Sequence, residues 1–420
     1  MVSLQNPTRN LPKNTIGVTM LEIKPIFNSL LRSKAGALML LVQIALTTMI
    51  VSNASSIIFD RMEYLSQATG YPEAEIFSFS VMSFDKNLDL TQKFEETETM
   101  LRNIPGVKNA ALFNAVPVSG SGSATGLGLQ PASEGGQDAR SAYYMADENA
   151  LDTLGISLVE GRNIRPDEVI ESQTREILPK IVLITKTLAD ELFPAGDALG
   201  QTIYFGDKPL EVIGITAKMM GPWLKDSRPD NVAIIPFVSA SIFQKIIVRT
   251  EANQRTAIMR QIENLMLEDH NKRVITGLQG MDDEKQNYNA ADTLMLRMLI
   301  VLIVLLLSVT ALGIFGLTVF NINKRTKQIG TRRALGARKS SIISYFLVEN
   351  VIICLTGTAL GSISAILLGQ GLLDLYSVPA LNSLYIISTV LFIITISILS
   401  VLIPANKAAN ISPSIATRSI

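Results

Sequence analysis

Hydrophobic positions follow two different patterns along this chain, and the boundary between them divides the molecule. Four stretches contain no Asp, Glu, Lys or Arg: Ala35 to Phe59, Met298 to Asn323, Asn350 to Leu373, and Leu375 to Asn406. Their centres read ALMLLVQIALTTMIVS, MLIVLIVLLLSVTALGIFGLTVF, VIICLTGTALGSISAILLG and LYIISTVLFIITISILSVLI. A helix of about 20 mostly apolar residues crosses a hydrocarbon core of roughly 30 Å, and each run reaches that length. The pattern predicts transmembrane helices at 35–59, 294–321, 342–370 and 384–404.

Between the first and second runs, residues 60–293, the pattern is that of a folded domain. IFSFSVMSF, from Ile76, reads as a strand and VKNAALF as the next one; LTQKFEETETMLRNI between them places Leu90, Phe94, Met100, Leu101 and Ile104 largely on one helical face. The same order returns near the end. FQKIIVRT is a strand, NQRTAIMRQIENLMLED a helix with Ile258, Ile262, Leu265 and Met266 inward, and RVITGLQ a strand. Two strand–helix–strand units, within 75–130 and 240–290, thus flank an insert at 137–236 that is rich in strands: KIVLI, QTIYF, PLEVIGIT and NVAIIPF. The fold class expected is four membrane helices plus a large split α+β domain with its helices on one sheet and a β-rich insert. The stretch SGSGSATGLGL after Val118 is expected to be a flexible loop.

Charge orients these elements. The formal net charge is zero, yet the segment before the first run has Arg9, Lys13, Lys24, Arg32 and Lys34 against Glu22. Between the second and third expected spans, within 322–341, lie Lys324, Arg325, Lys327, Arg332, Arg333, Arg338 and Lys339 with no acid, and the tail adds Lys407 and Arg418. Short basic loops stay in the cytoplasm, while long domains translocate largely regardless of charge. Segments 1–34, 322–341 and 405–420 are therefore expected inside, and 60–293 and the short loop 371–383 outside. The first run is longer than a signal-peptide core and follows a long leader, so it is expected to stay as a span.

Little catalytic chemistry is available. His270 is the sole histidine and Cys354, inside the third run, the sole cysteine, which leaves no material for triads or for common zinc sites. No catalytic residue and no metal site are expected. GTRRALGARKS, from Gly330, resembles a phosphate loop only superficially: five residues separate the glycines, and Ala337 and Arg338 follow the second.

Three features remain. In the basic loop, Ile329, Ala334, Leu335 and Ile342 interleave with arginines and lysines. That spacing fits a strip facing anionic lipid, or a short amphipathic helix ended near Gly336 that docks in a partner's groove. In the third run Gly357, Gly361, Ala365 and Gly369 recur every four residues, a stripe that lets helices approach closely. Packing within the chain is the preferred use, a dimer interface the other. Glu349, about two turns into the same helix, calls for a partner or cavity in the membrane, or else reaches the inner interface beside Arg338.

The run from Lys324 to Glu349 resembles the signature of FtsX-like, MacB-type ABC permeases: a basic start, an Ile-Gly pair, Arg-Arg-Ala-Leu-Gly-Ala, then an Ile-rich span carrying a Glu. Gln328 stands where that family usually has Glu. The tail IPANKAANISPSIATR and the leader FNSLLRSKAGALML are similar to the family's, as are IPGVKNAALFNAVP, LDTLGISLVEGRNI, ITKTLADELFPAGDALGQTI and VIGITAKMMGPW in the outer domain. The resemblance implies an inner-membrane permease whose periplasmic domain is a porter module split by a sabre insert. It implies a dimer with a second copy or a related permease, and a separate ABC ATPase subunit that carries ATP and Mg²⁺. Lys327, Ile329, Arg332, Arg333, Leu335 and Gly336 would form the ATPase-coupling loop. A periplasmic adaptor and an outer-membrane channel are further implied partners; this chain itself would bind no cofactor and no nucleic acid. Lipoprotein release and control of cell-wall hydrolases are alternatives within the family. A membrane-anchored binding or sensing protein without an ATPase is the alternative outside it.

The charge tally makes a direct prediction. Reporter fusions after Gln130 and after Lys339 are expected on opposite sides of the membrane; cytoplasmic signals from both would sink the four-span topology.

Overall fold

The computed structural model describes residues 34–85, 89–136, 138–174, 177–269, 272–376 and 380–412. The expected inner segment 1–34 (except Lys34), His270, part of the loop 371–383 and the tail from 413 lie outside the described residues. Two compact units are present: residues 62–294, and residues up to 61 together with those from 295 onward.

In chain order, helix α1 (Lys34–Leu65) leads to strand β1 (Ile76–Ser83), helix α2 (Leu90–Arg102) and β2 (Val107–Phe113). The insert follows as β3 (Ser123–Gly128), β4 (Asp138–Ala146), α3 (Ala150–Leu154), β5 (Leu158–Gly161), β6 (Ile170–Ser172), β7 (Ile181–Thr185), α4 (Lys186–Leu192), β8 (Thr202–Phe205), β9 (Lys208–Thr216) and β10 (Val232–Ser239). The chain returns with β11 (Phe243–Thr250), α5 (Arg255–Asp269), β12 (Arg273–Gly280) and α6 (Met281–Tyr288). The remainder is helical: α7 (Ala290–Lys324), α8 (Thr326–Ala334), α9 (Lys339–Tyr376) and α10 (Ser383–Ala409).

The two strand–helix–strand units interleave into one antiparallel sheet ordered β12-β1-β11-β2. Each unit leaves a one-strand gap between its own strands, and a strand of the other unit fills it; this is the split β-α-β arrangement. Helix α2 begins where the Asp89 carboxylate accepts from the Thr91 and Gln92 amides, at 3.1 and 3.3 Å, and the chain turns at Gly106 with φ +92°. Phe77, Phe79 and Val81 meet Phe94 and Leu101 of α2 and Ile258, Ile262 and Met266 of α5 on one face. Ile76, Ala111 and Ile247 pack on the opposite face against Tyr144, Leu154 and Met219 of the insert. Both faces are covered along β2 and β11, which is why AALF and IIV run there as continuous apolar stretches.

Insert strands form a second sheet that closes on itself, because β4 pairs with β10 as well as with β3. The ring β4-β3-β8-β9-β7-β10 leaves none of its members with a bare edge, and Leu127, Tyr143, Val182, Ile184, Leu210, Val212 and Ile235 form its core with Leu188 and Leu192 of α4. One expectation fails here. The Gly/Ser stretch is not a loop throughout: Ser123–Gly128 is a ladder strand in register with Asp138–Tyr143. A Cβ at Gly126 or Gly128 would stand 2.7 or 2.2 Å from the Asp138 carboxylate, so glycine permits the close pairing that low strand propensity concealed. The insert sheet accordingly starts at Ser123, ahead of the expected 137.

Four helices, from Ala35, Ala290, Lys339 and Ser383, are long and apolar enough to cross a membrane. All exceed the spans expected at 35–59, 294–321, 342–370 and 384–404. Helix α1 continues through Asp60, Arg61 and Glu63 to Leu65, and α10 continues past the buried Pro404 to Ala409. Apolar composition marks the part that meets lipid, whereas backbone hydrogen bonding carries the helix into water.

A cavity of about 240 Å³ separates α2 from β6, β10 and the end of β4, and it is lined by Glu95, Glu98, Arg102, Asp147, Glu148 and Glu171. Arg102 bridges Glu98 and Asp147 at 2.9 and 3.4 Å, tying the porter helix to the insert, and the Leu112 amide donates to Glu98 at 2.7 Å. Burial, then the neighbouring Asp147 carboxylate, pushes Glu98 up to about 9; burial likewise raises Asp147. A carboxyl raised in the folded state binds more protons there than when unfolded. The folded domain therefore loses stability as pH rises from the ordinary value of 4.5 through about 9. Residues 62–294 in isolation are expected to melt cooperatively, unchanged by reductant, with a midpoint that falls between pH 6 and 9 (a window chosen to lie above about pH 5, where ordinary carboxylates are already ionised). Glu98→Gln is expected to flatten that slope; an unchanged slope would place the titration elsewhere.

Candidate functional site

Helix α8 is the short element between the second and third spans, and it is built to present one face. Ile329 is 6% exposed and packs with Ile342, Phe346, Ala405 and Ala408, while Gly330 is buried beside it. Lys327, Gln328, Arg332 and Leu335 face outward, Leu335 at 83% exposure. The helix ends in a Schellman turn. The Ala337 amide donates to the Arg332 carbonyl at 3.0 Å and that of Gly336 to the Arg333 carbonyl at 3.1 Å, with Gly336 at φ +92°. The Arg333 guanidinium folds back on the turn, donating to the Ala337 carbonyl at 2.7 Å.

Of the residues expected to form the coupling loop, Lys327, Arg332 and Leu335 lie on the open face and Gly336 makes the turn that ends it. Ile329 is a correction: it points inward as the anchor that seats α8 on the helices, because an apolar side chain at the middle of a two-turn helix gains most by joining the core beneath. Arg333 lies between, half-buried along the turn.

Glu349 has a partner, as one of its two expectations held, and the Arg338 alternative is the one that fails. Its partner is Arg325, not Arg338. Arg325 sits at the one-residue break between α7 and α8, and its two terminal nitrogens donate to the two Glu349 oxygens at 3.0 and 3.1 Å. It also donates to the Tyr345 hydroxyl at 2.9 Å. Arg325 and Arg332 both lie over the Tyr345 ring, 5.7 and 5.5 Å from its centre. A cavity of about 40 Å³ is lined by these residues with Gln328, Ile342 and Phe346. Arg325 and Tyr345 escaped the sequence reading, although the four-residue spacing of Tyr345 and Glu349 places both on one helical face.

The small-residue stripe of α9 lies against α1. A Cβ on Gly357 would meet Ile44 at 2.8 Å, and one on Gly361 would stand 2.6 Å from the Ala45 carbonyl oxygen. The carbonyl of fully buried Ala365 accepts from Asn53 Nδ2 at 3.0 Å, and a Cβ on Gly369 would stand 3.1 Å from the same Asn53 side chain. Thr47 and Thr310 join α1 to α7 at 2.9 Å, and Asn350 donates to Ser397 between α9 and α10. Such polar bonds hold helices together where lipid tails supply no hydrophobic drive between them.

Two family patterns cover nearly all the structure just described. Residues 37–265 match the MacB-like periplasmic core domain, and residues 300–413 the FtsX-like permease C-terminal region. The chain belongs to the MacB-like ABC transporter permeases. Among its relatives, the macrolide export ATP-binding/permease protein MacB 2 of Yersinia pestis is 30% identical over 272 residues, covering 61% of this chain and 39% of that protein. The macrolide export ATP-binding/permease protein MacB of Mannheimia succiniciproducens is 24% identical over 274 residues, 63% of this chain and 41% of its own. This permease thus spans about two fifths of the length of the curated relatives it matches. The crystal structure of the periplasmic region of MacB from Actinobacillus actinomycetemcomitans aligns with 54% of the chain and 97% of its own, at 15% identity and a TM-score of 0.34. As a MacB-like permease it is a multi-pass inner-membrane protein with a periplasmic domain.

Close packing at the stripe is testable against an internal control. Gly361→Leu is expected to cost about 1–3 kcal/mol of stability by overpacking α1. Gly371→Leu, on the same helix with nothing within 4 Å of its Cβ position, is expected to cost little. Thermal unfolding of both variants in detergent checks this, and equal midpoints would mean that α1 does not rest on the stripe.

Proposed function

We propose that this MacB-like permease is the membrane subunit of a mechanotransmission transporter driven by an ABC ATPase carried on a separate chain. ATP and Mg²⁺ bind on that partner. This chain supplies no catalytic group and no cofactor site of its own. It pairs with a second permease, and ATP-driven movement displaces the periplasmic domains, driving efflux or release of a substrate on the outer side of the membrane. A periplasmic adaptor and an outer-membrane channel complete the path in this reading. Relatives named as ATP-binding/permease proteins for macrolide export support the ATP-driven export class.

The observation that carries the docking surface is the outer face of α8. A two-turn helix, anchored by Ile329 and stopped by a Schellman turn, holds a bare leucine at its tip among arginines and lysines. An apolar tip ringed by cations suits a groove with an acidic rim better than it suits the lipid surface, where attraction scales with charge, at roughly 1 kcal/mol per basic residue. The two readings separate on an uncharged change. Leu335→Ala is expected to weaken ATPase co-purification by about 2 kcal/mol, roughly thirtyfold, while membrane insertion and charge stay the same. Arg332→Lys is expected to do less harm unless its guanidinium makes a bidentate contact. Normal ATPase retention by Leu335→Ala, together with loss of membrane association on removing the charges, would leave the lipid reading in its place.

A further inference from the structure

The Arg325–Glu349 pair does more than stabilise the helices, and its position shows how. Breaking a buried ion pair is strongly destabilising, yet replacing both partners with apolar residues of similar size is often neutral. A chain that needed only packing here would have no use for a carboxylate about 15 Å along α9 from its first residue, ten residues in, paired with an arginine from the break before α8. Arg325 is also the hinge itself: α7 stops at Lys324, α8 starts at Thr326, and Arg325 stands between with φ −106°. Among the described residues, the Glu349 carboxylate and the Tyr345 hydroxyl and ring of α9 face this guanidinium. From the far side of α8, Arg332 covers the same ring. Tyr345 is therefore gripped at both ends of the docking helix.

The packing of Ile329 is of a different kind. Ile329 meets Ala405 and Ala408 of α10 through apolar surface, which has no preferred direction and can slide. A bidentate arginine–carboxylate contact fixes two atoms against two atoms and resists rotation. We infer that Arg325, Tyr345 and Glu349 form the joint through which displacement of α8 is passed to α9, making Arg325 and Glu349 positioning residues for energy coupling rather than for docking. This rests on the docking role of α8 proposed above and adds the route of transmission, from the docking helix to the third span.

The test uses the full chain in lipid nanodiscs with the ATP-binding subunit that co-purifies with it. A nitroxide on Glu134→Cys, in a Cys354→Ser background, reports on the periplasmic domain. The wild type is expected to change its spectrum on addition of ATP and vanadate. Arg325→Met/Glu349→Leu removes the charges but keeps the volume, so it is expected to fold and to retain the ATPase at the wild-type level. Its ATP-dependent spectral change should fall about tenfold or more, the scale of a typical coupling between sites. Single variants such as Glu349→Gln leave a charge unpaired and would confound folding with coupling; the double variant does not. A spectral change of wild-type size in the double variant overturns the inference, and so does parallel loss of ATPase retention, which would make the pair a mere brace for the docking surface. If the wild-type chain itself retains no ATP-binding subunit, the docking proposal falls and takes this inference with it.

Discussion

Hydrocarbon offers no partner to a peptide N–H, a carbonyl or a charge, and most of this molecule follows from that one constraint. Spanning segments must satisfy their backbone internally, so they are helices, and their side chains must find polar partners on one another. Here those partners are specific: Thr47 with Thr310, Asn53 with the Ala365 carbonyl, Asn350 with Ser397, Arg325 with Glu349. Each joins a different pair of elements. The stripe of small residues on α9 belongs to the same logic, since only a missing side chain lets the Ala45 carbonyl approach Gly361.

Outside the bilayer the constraint is lifted and a different one governs. The periplasmic domain has no disulfide to hold it, so its two sheets must bury enough apolar surface by themselves. They do so by sharing strands and residues between cores. Alternate residues of β10, Ile234 and Ile235, belong to separate clusters, and so do Tyr144 and Tyr143 of β4. The same strands that close the ring also press against the porter sheet. Arg102 then bridges porter and insert electrostatically across the acidic cavity. A domain assembled this way resists shear between its halves.

In the function proposed for α8, docking and transmission meet at one short helix. Ile329 anchors one face, Leu335 stands exposed at the tip, and the break before the helix is tied to the third span by the Arg325–Glu349 pair. Such an arrangement would separate two tasks that a simple basic loop would merge: attraction of a partner, and directional connection to a particular helix.

Four spans, their orientation, the two strand–helix–strand units and the family signature could all be read from the residues, because each rests on a local or periodic pattern. Apolar runs, charge bias and helical faces are properties of neighbouring positions. The strand at Ser123–Gly128 could not be read, since glycine and serine have low strand propensity and its reason for pairing, Asp138 and the closing ring, lies elsewhere in the chain. Nor could the inward turn of Ile329, because a two-turn helix with apolar residues around it has no single face until something packs beneath it. Glu349 announced a need for a partner, but seven cations in the neighbouring loop were equal candidates by composition. Only the three-dimensional path of the chain, with α7 ending one residue before α8 begins, brought Arg325 within 3.1 Å of it and left Arg338 out of the pair.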